Sequence, residues 1–242
     1  MEKCDDGTPA LKGLLAADRG PIPVRGRASY SGSRAVAVAD IAGSEDLGFT
    51  AGSWVHTAAA GGTTLHGEYL TVWKRDSASQ WQVEFDGGIS HDATAGQDQP
   101  IEASIAADCP APHPPPQNLV AQDAGGKAVR DFQETCIEDG FPAALRTYAR
   151  TADFRFFTDG ASAMDLPAAI RHLSLRAVQG SWRQDACDRS ADSSLAYAAG
   201  VLAGGRQQHR YLYAQIWQYA PKVANWGLRI LLINPVRSDS VT

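Results

Sequence analysis

The chain has 242 residues, 44% of them hydrophobic and 20% charged, and a formal net charge of -5. That length suits two domains, each able to bury a core, and neither half is basic enough for a nucleic-acid partner. No apolar run reaches the roughly 18 residues of a membrane helix, so no membrane partner is expected.

The start, MEKCDDGTPALKG, lacks the apolar core of a signal peptide. A cytoplasmic location is therefore expected, or export with the signal peptide already removed. One helix is predicted over 8–17, with Leu11, Leu14 and Leu15 inside. Strands follow over 34–42, 46–57, 64–75 and 80–89, with turns at Gly61-Gly62 and Asp76-Ser77. Residues 109–118, CPAPHPPPQN, carry four prolines and read as an extended spacer. The expected domains are thus 1–108 and 119–242, joined by that linker.

The second domain reads as helices first, then sheet. Val129, Phe132, Cys136 and Ile137 form one apolar stripe on a helix from about 124 to 138. Gly140 stops it, and Pro142 suits the first turn of a helix carrying Ala144, Leu145 and Tyr148. DFRFFTDG reads as a short strand. Asp165 caps a third helix, with Pro167 in its first turn and Ile170 and Leu173 inside. Strands are predicted over 179–188, 193–203, 208–219 and 225–235.

The two sheets read alike. Leu47, Phe49 and Gly52 fall on Leu195, Tyr197 and Gly200, and Tyr69, Trp73 and Trp81 fall on Tyr213, Trp217 and Trp226. The offset is domain-sized, which points to a tandem of two related domains. Tyr69, Thr71 and Trp73 oppose Leu70 and Val72 across one strand, and Tyr213 and Trp217 oppose Leu212, Ala214 and Ile216. Neither face is polar, so both are expected to be covered: one by helices, the other by the sister sheet or a second chain.

DLGFTAGSW, GEYLTVWKR and WQVEFDGG, in a helices-then-curved-sheet order, resemble the nuclear transport factor 2-like superfamily. The resemblance is to its SnoaL-like and ketosteroid-isomerase-like bacterial members, strong over 46–89 and moderate over 124–235. It implies an α+β fold: two cones, each a curved antiparallel sheet with helices on one face and a pocket at the open end. The first cone lacks most of its helices, so the second is the expected ligand site.

Catalytic members of such a family pair a base with a hydrogen-bond donor in an apolar pocket, where desolvation makes a carboxylate a better base. Candidates in the second domain are Tyr148, Asp153, His172, Trp182, Tyr197, His209 and Tyr211, with Asp185 and Tyr213 also eligible. Trp182 and Tyr197 are read as walls of an aromatic pocket, and Asp153 as capping a turn or pairing with Arg150 or Arg155. In the first domain His66, Glu68 and Asp86 stand out, with His56 and His91 weaker. No Gly-x-Ser-x-Gly elbow, phosphate-cradling loop or His-Glu-x-x-His helix occurs, so no cofactor or metal is expected. The cysteines Cys4, Cys109, Cys136 and Cys187 form no CxxC pair and read as free, mostly buried thiols. The leading expectation is a small-molecule-binding tandem pseudo-dimer taking a small hydrophobic ligand, with a homodimer open. Its rivals are an isomerase, dehydratase or cyclase acting on a compact hydrophobic carbonyl compound, and a non-catalytic structural module.

Overall fold

In the computed structural model, β1 (Tyr30–Ile41), β2 (Leu47–Ala58), β3 (Thr64–Arg75) and β4 (Trp81–His91) make an antiparallel meander in sequence order. The described residues are Leu14 and 30–58, 64–92, 119–150, 152–175, 180–204, 209–220 and 225–236. The chain divides into two compact units, Met1–His113 and Pro114–Thr242. Leu14 is helical and fully buried. The rest of the helix expected over 8–17, the spacer 109–118, Gly61-Gly62, Pro221, Cys4 and Cys109 lie outside the described residues.

Local chemistry sets the turns of unit 1. Glu45 takes the left-handed conformation (φ 56) while Ala42 N donates to Leu47 O at 2.9 Å. Between β3 and β4, Asp76 Oδ1 accepts from the amides of Ala78 and Gln80, both at 2.9 Å. Register puts Phe49, Ala51, Leu70 and Val72 on one face, and Thr50, Tyr69, Thr71 and Trp73 on the other. We call the Tyr69–Trp73 face the inner one. All eight residues are buried.

Unit 2 begins with α1 (Leu119–Glu138) and α2 (Phe141–Tyr148). Gly140 joins them at φ 85, a left-handed position that favours glycine. β5 (Arg155–Thr158) and β6 (Ala161–Met164) form a hairpin around Gly160 (φ 76). α3 (Leu166–Ser174) is capped by Asp165, whose Oδ1 accepts from Ala168 N at 2.9 Å. β7 (Gly180–Arg189), β8 (Leu195–Gly204), β9 (His209–Ala220) and β10 (Asn225–Pro235) complete a six-stranded sheet in the order β6-β5-β10-β9-β8-β7. Only β5 runs parallel to its β10 neighbour. Phe132, Cys136, Phe141, Leu145 and Leu173 from the helices pack with Ala198, Tyr213, Trp217 and Leu228 on the inner face of this sheet.

Three expectations change. α1 starts at Leu119, a turn earlier than its apolar stripe. Ile137 is half exposed, because Val129, Phe132 and Cys136 already fill the stripe and its neighbouring position turns away. β6 appears where no strand was expected. Its sequence, ASAM, has no β-branched or aromatic residue, and its partner β5 holds it in place.

The same turn and bulge recur in both units. Ser193 (φ 55) sits in a turn where Ser190 N donates to Leu195 O at 2.9 Å. Register shifts fall between Val36 and Val38 on β1 and between Gln184 and Ala186 on β7. Gly52 and Gly200 face these bulges: a Cβ at either would lie 2.0 Å from a backbone oxygen, of Ala35 or of Arg183.

Cys136 is buried, which pushes its thiol up, whereas Cys187 is exposed. Among the described residues no helix is long and apolar enough to cross a membrane.

Candidate functional site

At one end of the unit 2 sheet the register sets Trp182, Leu202 and Tyr211 side by side across β7, β8 and β9 on the inner face. The next row holds Gly200 and Tyr213. With no side chain at Gly200, the diagonal from Trp182 to Tyr213 is open. The two rings meet edge to face, centroids 4.7 Å apart at 79°.

Phe132 of α1 anchors this group from above. Its ring stands against Phe141 at 6.3 Å, Tyr148 at 6.0 Å, Trp182 at 6.2 Å and Trp217 at 5.8 Å. Tyr148 also meets Trp217 at 6.2 Å. Polar atoms in this region pair with one another. Gln133 Nε2 donates to Tyr213 Oη at 3.4 Å, and Trp217 Nε1 donates to Gln215 Oε1 at 3.1 Å. Burial pushes the Tyr213 hydroxyl up to about 12, so at neutral pH it stays protonated and can donate a hydrogen bond.

Of the residues predicted from sequence, Trp182, Tyr211 and His209 gather at this end. The His209 and Tyr211 rings lie 6.4 Å apart, with His209 exposed. Tyr148 belongs to the same aromatic group through Phe132. The others lie elsewhere. Tyr197 is paired with Ile216, which turns it to the opposite, outer face, so it is no wall of this group. His172 lies on α3 beside Phe156, centroids 5.9 Å apart. Asp153 is half exposed and faces Arg150 Nη2 at 3.9 Å, and Asp185 is bound by Arg183 Nε at 2.7 Å. That contact holds the exposed Asp185 carboxyl below its ordinary range. Phe132, Gln133 and Gln215 were missed as site residues. Only the position of Phe132 on the helix stripe signalled it.

In unit 1, Glu68 and His91 form a buried pair on the outer face, Oε1 to Nε2 3.7 Å. Asp86 sits on the inner face, opposite Thr71. Glu68 and Asp86 therefore cannot act on one ligand face. His56 sets its ring edge to Trp54 at 4.9 Å, and His66 pairs across β3–β4 with His91. Among the described residues no group of three or more His, Cys, Asp or Glu is placed to hold a metal ion.

In unit 2, helices α1–α3 lie on the inner face of a long antiparallel sheet, whose short parallel strand β5 stands between β6 and β10. The fold is α+β, an antiparallel sheet with helices on one face. Solved structures similar to this chain include an NTF-2-like protein of unknown function from Shewanella oneidensis, at 7% identity and TM-score 0.38, covering 46% of this chain and 97% of that one. A Ca/calmodulin-dependent kinase II association domain from Exiguobacterium sibiricum has 13% identity and TM-score 0.39, covering 51% and 99%. A cystatin-like-fold protein of unknown function from Methylobium petroleophilum has 11% identity and TM-score 0.36, covering 52% and 83%. None of these similarities extends to function. No family model and no curated protein matches the chain.

Proposed function

We propose that the protein is a small-molecule-binding protein, built as a tandem of two nuclear transport factor 2-like units. Unit 2 takes a compact apolar ring compound at the end of its sheet where Trp182, Tyr211 and Tyr213 meet. The edge-to-face contact of Trp182 on Tyr213, at a half-buried end of an otherwise buried aromatic group, carries the reading. Half-buried rings offer a large apolar surface at small ordering cost, and the protonated Tyr213 hydroxyl supplies one polar group for a ligand carbonyl.

Binding is favoured over proton transfer because the nearby carboxylates are committed elsewhere. Asp153 and Asp185 each face an arginine at the surface instead of standing free in an apolar pocket.

The test is a titration of the full chain with 1-tetralone, followed by calorimetry and tryptophan fluorescence. Saturable binding is expected, weakened tenfold or more by Trp182→Ala, a loss of about 1.4 kcal/mol. Unsaturable binding, or a Kd that Trp182→Ala does not move, sinks the reading. Consumption of the ketone would instead favour the isomerase alternative.

The pseudo-dimer is part of the proposal. Both sheets carry an apolar outer face, with Phe49, Leu70 and Val72 in unit 1 and Ala214, Ile216 and Leu232 in unit 2. These residues are already buried within the single chain, so no second copy is needed to cover them. Light scattering is then expected to give a monomer of 25.8 kDa. Twice that mass would contradict the pseudo-dimer and favour a homodimer.

A further inference from the structure

The shared turn, bulge and glycine make the two inner faces comparable position by position, and their chemistry differs. Counted from Gly200 and Gly52, Trp182 corresponds to Arg34 and Leu202 to Trp54. Counted along the next strands, Tyr213 corresponds to Tyr69, Tyr211 to Gly67 and Leu231 to Asp86. Unit 2 is apolar at four of these positions, where unit 1 has a cation, an indole, a glycine and a carboxylate.

These unit 1 residues touch one another. Arg34 crosses the bare backbone of Gly52 and lies over the Tyr69 ring, 4.4 Å from its centroid. Its Nη1 donates to Thr71 Oγ1 at 3.0 Å, and its Nη2 to both Asp86 oxygens at 3.1 and 3.2 Å. Thr71 Oγ1 in turn donates to Asp86 Oδ1 at 2.6 Å. Three hydrogen bonds from two donors, Arg34 Nη2 and Thr71 Oγ1, thus fix the carboxylate, yet its side chain remains 43% exposed. A carboxylate offers about four acceptor positions, so Oδ2, which among the described residues accepts only from Arg34, keeps one for a ligand.

Trp54 supplies a platform beside it. Its indole packs close against Gly67, where a Cβ would meet Cε2 and Cζ2 at 2.4 Å, and its Nε1 donates to Glu68 O at 3.2 Å. The ring also meets His56 edge to face, centroids 4.9 Å apart, and is half-buried. The indole nitrogen also reaches toward Gly88, two residues from Asp86 on the same face of β4 and so about 7 Å along the strand. A six-membered ring stacked on the indole spans that gap.

We propose that unit 1 holds a second ligand site, separate from the unit 2 end, for a monosaccharide-sized polyol ring. The apolar C–H face of the ring lies on Trp54, and a ring hydroxyl donates to Asp86. A hydroxyl both donates and accepts, which suits a carboxylate and a guanidinium held side by side.

Ligand-observed NMR of the full chain with methyl glucoside, methyl galactoside and methyl mannoside, and with adenine as a flat heterocycle, tests this. At least one glycoside is expected to bind at millimolar concentration. Asp86→Asn, which keeps the shape and removes the charge, should weaken it tenfold or more. Trp54→Leu should abolish it, and Asp153→Asn, at the unit 2 surface, should not change it. If Asp86→Asn fails to fold, Thr71→Val, which frees the same carboxylate, reads the site instead. Absence of glycoside binding, binding indifferent to Asp86 and Trp54, or preferred binding of adenine overturns the proposal. None of these results depends on 1-tetralone binding in unit 2.

Discussion

Replacing Phe132 with alanine is expected to destabilise unit 2 by about 3–5 kcal/mol, the range for losing a buried aromatic ring. Phe132 is fully buried and is the ring that Phe141, Tyr148, Trp182 and Trp217 all share. Removing it deletes four edge contacts together and leaves a hole between α1 and the sheet. Leucine at the same place should cost markedly less, because most of the volume remains. Hydrogen exchange on β9, compared between the variants, isolates unit 2 from unit 1. The hole also invites a ligand: a benzene-sized molecule should recover part of the loss, since an apolar cavity of that size stays dry. Exchange rates on β9 unchanged by Phe132→Ala would show that the ring is not the keystone of the helix–sheet contact.

The sequence carried the elements of both units more fully than the faces of their strands. The four-strand meanders were readable because turn residues such as Asp76 sit between long apolar runs, and a carboxylate bonding two amides is a local event. The helix stripe was readable at Val129, Phe132 and Cys136 but extended one residue too far, since Ile137 is apolar without being inward. Sidedness failed where alternation gave no sign. β8 reads LAYAAGVLA, apolar at both parities, so the pattern does not say which face Tyr197 takes, and the register puts it on the outer one. Arg34 escaped notice for a different reason. Its partner Asp86 lies 52 residues away, and the two meet only because Gly52 leaves the inner face open between them. No local pattern reports such a contact. Asp86 was instead grouped with His66 and Glu68, whose strand parity puts them on the opposite face.

Gly200→Val is expected to cost about 3 kcal/mol, the upper end of the range for overpacking. Any Cβ at this position would sit 2.0 Å from Arg183 O and 2.9 Å from Asp185 N. Both atoms are backbone, so no side-chain rotation relieves the clash, and the bulge between Gln184 and Ala186 has to move. Moving it slides Trp182 relative to Leu202 and Tyr211, because register is shared along the row. The valine would also stand on the diagonal from Trp182 to Tyr213. Stability and ligand binding should therefore fall together, and Gly200→Ala should share the backbone clash while leaving more of the diagonal open. Denaturant unfolding followed by tryptophan fluorescence measures the first effect, and 1-tetralone titration the second. The same change at Gly52 should act on unit 1 alone: its Cβ would meet Ala35 O at 2.0 Å and Ala37 N at 2.7 Å, and it would lie under the path of Arg34 to Asp86. Glycoside binding should then be lost while 1-tetralone binding persists. A Gly200→Val protein as stable as the parent, with its 1-tetralone affinity intact, would mean that the bulge is soft and that neither site depends on it.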